Sequence, residues 1–459
     1  MTLSLSGTSQ RTAEIHDLAE RLAEHLQAAV VAAGPQVEGT VSNVLGLGIQ
    51  VSGVRVSVGE LVTVRTTTGP LPAQVVAVQV DGAACMPLGS TQGVAAGDPV
   101  SVSGNRVRVP AGPQVLGRVL DALGRPLDGG EPLRDAHWVP LEAAAPNPLQ
   151  RKRIRHQLET GVRALDTLIP LGAGQRVGIM AGSGVGKTTL LGMAVRGTAA
   201  PVRVVALVGE RGREVREFLE DTLDARARER TVVVVATADD PPMLRLTAAF
   251  TATRIAEWFR DAGTDVLLVV DSVTRVAMAQ REVSLASGEP PATRGYPASV
   301  FAMLPRLLER AGPGRTGSIT ALYTVLVEGD DMQDIIGDTV RGILDGHIVL
   351  SRDLATSGHF PSIDVLQSVS RVERAVLGEE HRQMAIAARR LLAAHRDIKE
   401  LVEVGAYAAG SDPVADLALR LRPELDAFLR QDATELSPVA SSWKLLAALL
   451  GVRLSESAS

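Results

Sequence analysis

Residues 178 to 191 read GIMAGSGVGKTTLL, a glycine-rich turn that ends in a lysine and two threonines. A triphosphate is held by backbone N–H groups pointing inward, a lysine on the terminal phosphates and a hydroxyl on Mg²⁺. Gly182, Gly184 and Gly186 let the backbone curl around Ser183 and Val185, Lys187 supplies the charge, and Thr188, followed by Thr189, supplies the metal ligand. The apolar run RVGIM before the loop and the helical stretch from Lys187 give the strand, turn and helix that such a site requires. The first glycine of the usual G-x-x-x-x-G-K-[ST] spacing is replaced by Ala181. A methyl group is tolerated there if the chain is still leaving the strand with negative φ. A glycine-rich turn without a ligand is the bland alternative, and the agreement of strand, loop and helix weighs against it.

Hydrolysis needs more than binding. The apolar run DVLLVVD ends in Asp271, where a carboxylate can hold a water on Mg²⁺. In VVALVGERGRE the apolar strand ends at Glu210, which can orient and polarise the attacking water if its strand neighbours the P-loop strand. Taken alone, Glu210 reads equally well as a solvated turn residue. Arg211, next to Glu210, and Arg275, four residues after Asp271, are further catalytic candidates. The loop and two strand-end carboxylates together point to Mg²⁺-dependent hydrolysis of a nucleoside triphosphate, with ATP and Mg²⁺ as the expected ligands.

Three kinds of element must position these groups. Residues 12 to 33 place Ile15, Leu18, Leu22 and Leu26 at helical spacing beside Glu14, Asp17, Glu20 and Glu24, an amphipathic helix whose acidic face suits a protein partner better than anionic lipid. A helix packed on its own chain is the even alternative. Short alternating Val, Ile and Leu runs punctuated by glycine over 34–110 predict a small β-barrel. The segment GRVLDALGRPLDGG and the proline-rich stretch to Pro148 read as a crossing segment. Valine-rich runs alternating with helices place a parallel sheet, covered on both faces, within 111–377. Residues 378–459 are helical, with Asp412 before Pro413 and Ser437 before Pro438 each reading as an N-cap followed by proline at the first helical position.

Composition narrows the class. With 459 residues, 45% of them apolar and 22% charged, the chain can build more than one core. A net charge of −5 disfavours a protein whose main task is gripping nucleic acid. The single cysteine, Cys85, excludes an intrachain disulfide and reads as a small core residue in a reducing cytoplasm. No apolar run approaches the roughly 18 to 20 residues of a membrane span, so membrane contact is expected to be peripheral.

The run FPSIDVLQSVSRVE, residues 360 to 373, matches the signature of the rotary ATPase α/β family, which implies a RecA-like ATPase domain between the barrel and a C-terminal helical bundle. By that resemblance Arg371 reaches the nucleotide of a neighbouring subunit, and Phe360 packs on adenine. Without it, Arg371 reads as a surface salt-bridge residue. REVSLASGEPPATRGYPASVFAMLPRLLERAG and GSITALYTVLVEGDDMQD resemble the flagellar export ATPases and their virulence type III secretion relatives more than ATP synthase subunits, and DTVRGILDGHIVLSRDLA leans to the flagellar side. Glu373 stands where a methionine is usual. The resemblance implies a homohexamer at the cytoplasmic face of an export gate, with a stator-like regulator docked on the N-terminal helix. Its further partners would be stalk proteins, export substrates and their chaperones. A virulence-type enzyme and a proton-coupled ATP synthase β-type subunit are the nearer rivals; a ring subunit that binds ATP without turnover is a third. A ring RNA helicase is disfavoured because residues 36 to 110 carry no Phe, Tyr or Trp for stacking on single strands. The basic run RKRIRH, residues 151 to 156, reads as a solvated linker.

Overall fold

The computed structural model describes residues 38–327 and 334–453. The amphipathic helix expected over 12–33 lies outside them. Six strands, β1 (Glu38–Leu45), β2 (Gly48–Ser52), β3 (Glu60–Thr66), β4 (Gly69–Gln79), β5 (Gly82–Pro87) and β6 (Pro99–Arg106), close a barrel in the order β1-β2-β5-β4-β3-β6. Closure leaves no free sheet edge. Val41, Ile49, Val51, Val62, Val64, Val75, Cys85 and Val100 fill its interior. Burial pushes the Cys85 thiol up to about 12, which keeps it protonated and inert.

After β7 (Arg108–Ala111) the chain forms β8 (Val119–Asp121) and then β9 (His137–Pro140), which pairs with β7. The segment read as a mere crossing therefore contains a strand: β8 lies parallel to the edge of the central sheet. Its brevity hides it, and the Asp121 carboxylate, accepting from the N–H of Leu123 and Arg125, turns the chain immediately after it.

The central sheet follows with β10 (Arg176–Ala181), β11 (Val202–Glu210), β12 (Thr231–Thr237), β13 (Val266–Asp271), β14 (Gly312–Pro313), β15 (Ser318–Leu326), β16 (Gly346–Leu350) and β17 (Ile363–Ser370). Its order is β17-β16-β10-β15-β13-β11-β12-β8, with β14 beside β15. The strands from β16 to β8 run parallel; β17 is antiparallel at one edge. Both faces are covered, so the strands are continuously apolar rather than alternating. Val204, Ala206 and Val208 face the helices Pro242–Asp261, Val273–Ala286 and Ala298–Leu308, while Val205 and Leu207 face the helix Lys187–Gly197 and the C-terminal helices.

Those C-terminal helices are Glu379–Glu403, Pro413–Leu429 and Val439–Leu450. The Asp412 carboxylate accepts from Val414 and Ala415 N–H, with Pro413 at the first helical position as expected. Ser437 differs: the helix starts one residue later, with Pro438 extended at the cap. The Ser437 hydroxyl pairs instead with that of Ser442. The basic linker is divided, since Arg151 donates to the Ala311 carbonyl and Lys152 to that of Thr316, whereas Arg153 and Arg155 are exposed. No helix among the described residues is long and apolar enough to cross a membrane.

One buried ion pair joins three parts of this frame. Glu257, in the helix Pro242–Asp261, takes a forked contact from Arg310 at 2.7 and 2.8 Å, and Arg310 also donates to the Leu141 carbonyl in the linker. Both side chains are at most 3% exposed. Removing one partner strands the other charge in an apolar setting. Glu257→Ala should therefore lower stability by roughly 3–5 kcal/mol, read as a shifted denaturation midpoint. A change below about 1 kcal/mol would show that Arg310 finds water instead.

Candidate active site

The loop after β10 wraps with Gly184 and Gly186 at φ +76° and +85°, a left-handed backbone that only glycine adopts without strain. Ala181, by contrast, is the last residue of β10, still paired with Leu326, and has no positive φ. Its methyl is therefore buried in the sheet rather than placed in the curl. Ser183, Gly184, Thr188 and Thr189 are exposed around the loop, and Val185 is buried beneath it.

Lys187, the first residue of its helix, is the centre of the charge arrangement. Its Nζ lies 2.5 Å from Asp271 Oδ1 and 3.3 Å from Glu210 Oε1. Glu210 is not on a strand beside the P-loop strand, as the sequence reading required: β15 and β13 lie between β10 and β11. The loop overcomes that distance by carrying Lys187 across the carboxyl ends of the intervening strands. A bulge then aims Glu210. Register shifts from Val208 opposite Ala236 to Glu210 opposite Thr237, leaving Gly209 as the extra residue at φ +71°. A Cβ on Gly209 would also stand 3.0 Å from that of Arg275.

Burial works against the Lys187 ammonium, but Asp271 and Glu210 outweigh it and hold its pKa above the ordinary lysine value. Burial raises the Glu210 carboxyl above the usual range, with the like charge of Asp271 adding to it and Lys187 opposing. Glu210 also faces Glu214, whose carboxyl is held below its ordinary value by accepting a hydrogen bond from Glu210. Glu210 is thus a carboxylate that takes up a proton more readily than an ordinary glutamate, poised beside a lysine.

Several partners of this cluster are invisible in motif spacing. Thr324, on β15, donates to Asp271 Oδ1 at 2.7 Å. The Ser362 hydroxyl donates to the Val185 carbonyl at 2.6 Å, and Arg352 donates to that of Ser183 at 3.3 Å. Both clamp the loop from the side of β16 and β17. Phe360 is 43% exposed, and its ring would lie 3.3 Å from a Cβ on Gly186, so it borders the loop on its open side. Arg275 packs against Gly209 with Nε buried and without a hydrogen-bond partner among the described residues. Arg211 is exposed and lies 3.7 Å from Glu214.

Arg371 stands apart. Because β17 runs antiparallel, its last residue, Ser370, is level with Gly346 at the start of β16. The Arg371 N–H donates to the Asp345 carbonyl, and the Asp345 N–H to that of Arg176, the first residue of β10. Arg371 is therefore five strand residues, roughly 16 Å, behind the point where the P-loop begins. It is exposed, at the opposite end of the sheet from Lys187, Asp271 and Glu210.

The residues fit a magnesium nucleotide. Two carboxylates share one lysine, which leaves a local charge of minus one beside the exposed Thr188 hydroxyl. Such hard oxygen donors suit Mg²⁺. Thr188 and Asp271, the latter through water, are the residues that would hold it, and it would supply charge neutralisation at the phosphates. Glu210→Gln should retain Mg-ATP binding and lose turnover by about 10²-fold or more, while Lys187→Ala should weaken binding itself. Equilibrium binding and steady-state rates separate the two. A protonated Glu210 cannot take up a proton, so kcat/KM should fall as pH falls, starting above the ordinary glutamate range. A rate profile flat through that range would remove Glu210 as the base.

Comparison with known proteins agrees with this geometry. Residues 161–370 match the nucleotide-binding domain of the ATP synthase alpha/beta family, and residues 377–448 match the C-terminal domain of the type III secretion ATPase EscN. The chain is 48% identical to the "Flagellum-specific ATP synthase" of Pseudomonas aeruginosa, over 94% of its own length and 97% of that protein's. It is 50% identical to the "Type 3 secretion system ATPase" of Xanthomonas euvesicatoria, over 89% and 93% respectively. The structure of assembled EscN from enteropathogenic E. coli superposes with a TM-score of 0.86 at 43% identity, covering 90% of this chain and all of that one. EscN in complex with its central stalk EscO gives a TM-score of 0.83 at 42% identity. The chain belongs to the flagellum-specific and type III secretion ATPases of the ATP synthase alpha/beta family.

Proposed function

We propose that this protein hydrolyses Mg-ATP in a ring of six identical subunits and uses the energy to drive protein export through a flagellar type III secretion apparatus, releasing export substrates from their chaperones and unfolding them. The observation that carries the reading is the separation of Arg371 from its own Lys187, Asp271 and Glu210: a chain with acid, base and lysine at one end and an exposed arginine at the other completes a site only with a neighbour. Relatives named for flagellar and for type III secretion systems, matched over nearly the whole chain, support export as the work done.

In this mechanism Lys187 turns from the carboxylates to the terminal phosphates. Glu210, as the carboxylate, orients and polarises the attacking water. The neighbouring subunit's Arg371 grips γ-phosphate oxygens with its forked guanidinium, a contact worth about 10³-fold or more in turnover where such arginines have been removed. Phe360 offers its exposed ring to the adenine. Arg275, packed on the bulge, and Arg211, beside Glu214, are the nearby cations that meet charge developing on the phosphates. The ring sits at the cytoplasmic face of the membrane export gate without entering the bilayer. The gate, a stalk protein, a stator-like regulator on the N-terminal segment, and the substrates with their chaperones are its partners.

Mixing tests the reading. Glu210→Gln chains keep the arginine and Arg371→Ala chains keep the glutamate, and each alone should be inactive. In mixed rings some interfaces pair a sound Glu210 with a sound Arg371, so part of the ATPase activity should return. The specific activity of the unmodified protein should also climb with its concentration. No recovery in rings shown to be mixed would mean that the arginine acts in its own subunit or that turnover requires all interfaces together, and would sink the proposal.

A further inference from the structure

The main chain that carries Arg371 is tied to a set of charges that the ATPase chemistry does not use. Arg176 is the first residue of the P-loop strand, and its side chain is 13% exposed. Asp345 receives three hydrogen bonds from it: Arg176 Nε and N–H to Oδ2 at 3.0 and 3.1 Å, and an Nη to Oδ1 at 3.1 Å. Arg176 reaches a second carboxylate, Glu309, at 2.5 Å. The Asp345 backbone is held as firmly, its N–H donating to the Arg176 carbonyl and its own carbonyl accepting from Gln175 Nε2 at 2.9 Å. That same carbonyl accepts the Arg371 N–H at 3.1 Å. Ser370, immediately before Arg371, is fixed too, its hydroxyl donating to the Pro170 carbonyl at 2.6 Å and accepting from Gln175.

The contrast lies in the Arg371 side chain itself, which is exposed and, among the described residues, donates only to the Arg341 carbonyl, at 3.5 Å. An arginine that must meet a phosphate with two parallel N–H groups pays a large entropy cost if its stem also wanders. Here the side chain is loose and its root is clamped. A forked Arg–carboxylate contact is the geometry that fixes direction as well as distance.

We infer that Asp345, locked by Arg176, is the positioning residue for Arg371, fixing the root of the arginine that one subunit presents to its neighbour's nucleotide and referring that root to the presenting subunit's own P-loop strand. The inference rests on Arg371 acting between subunits. Asp345 touches no reacting atom; it acts through the peptide N–H of Arg371 itself, just past the end of β17. Because Arg176 opens the strand that leads into the P-loop, any shift of that strand on nucleotide binding moves the arginine offered to the next site.

The test uses full-length chains. Asp345→Asn keeps the shape and the backbone carbonyl but removes the charge that holds Arg176. It should bind Mg-ATP with unchanged affinity and assemble normally, yet lose kcat by between about ten- and a hundredfold, the scale of a misplaced contact group. A merely structural lesion would not choose its partner in mixed rings. Asp345→Asn chains should regain activity when mixed with Glu210→Gln chains, which supply a sound arginine to their neighbours, and should regain none with Arg371→Ala chains, which fail in the same function. The Glu210→Gln with Arg371→Ala mixture is run beside them. If it restores nothing, action between subunits fails and the inference falls with it. If it restores activity while Asp345→Asn turns over normally, or is rescued by Arg371→Ala chains, only the positioning role is overturned. Should Asp345→Asn not assemble, Arg176→Lys, which keeps the charge and removes the fork, takes its place with the same outcomes.

Discussion

One ammonium group answers two buried carboxylates, and much of the structure exists to hold that imbalance. Lys187 sits between Asp271 and Glu210 at the carboxyl ends of the sheet, with the side chains of all three at most 15% exposed. In so dry a place the attraction is strong, and so is the penalty for leaving a carboxylate alone. On the proposed mechanism, Lys187 turns to a phosphate only when another cation relieves the acids it leaves behind. Binding becomes an exchange of ion pairs rather than the filling of an open positive site. A free polyanion without its metal would meet a net negative charge there.

Everything around the cluster can be understood as support for that exchange. The parallel strand order brings β13 and β11 side by side, so Asp271 and Glu210 emerge from neighbouring strands. Thr324 fixes one oxygen of Asp271 from the strand between it and β10, and the Gly209 bulge turns Glu210 inward. The helical domain takes part as well. Gln431 N–H donates to the Phe360 carbonyl at 2.9 Å, and Phe360 borders Gly186. The segment after the helix Pro413–Leu429 is thereby linked to the loop through two contacts.

What was legible in the sequence was whatever is local. The loop announces itself because its glycines, lysine and threonine lie within eight consecutive residues, and Asp271 and Glu210 show as acids ending apolar strands. Strand order is not local, and the reading of Glu210 required an adjacency to the P-loop strand that the fold does not have. Thr324, Ser362 and Arg352 enter the site through strands far away in the chain, so no spacing rule finds them. β8 was missed because three residues between turns carry too little pattern to separate strand from crossing. Ser437 was assigned a cap it does not fill, since an extended Pro438 delays the helix by one residue. The family resemblance supplied Arg371 and Phe360; the residues alone would have left Arg371 as a surface salt-bridge residue.

The antiparallel edge strand has a consequence for when the enzyme is silent. By reversing direction, β17 delivers Arg371 to the end of the sheet opposite Lys187, Asp271 and Glu210, so on the proposed reading each subunit has a giving end and a receiving end that lie apart within one molecule. Contacts of that head-to-tail kind close into rings when the rotation between subunits allows it and otherwise run on as open filaments. On the role proposed for Arg371, a subunit on its own is idle with its fuel all around it, and the place where the ring is gathered decides where ATP is consumed.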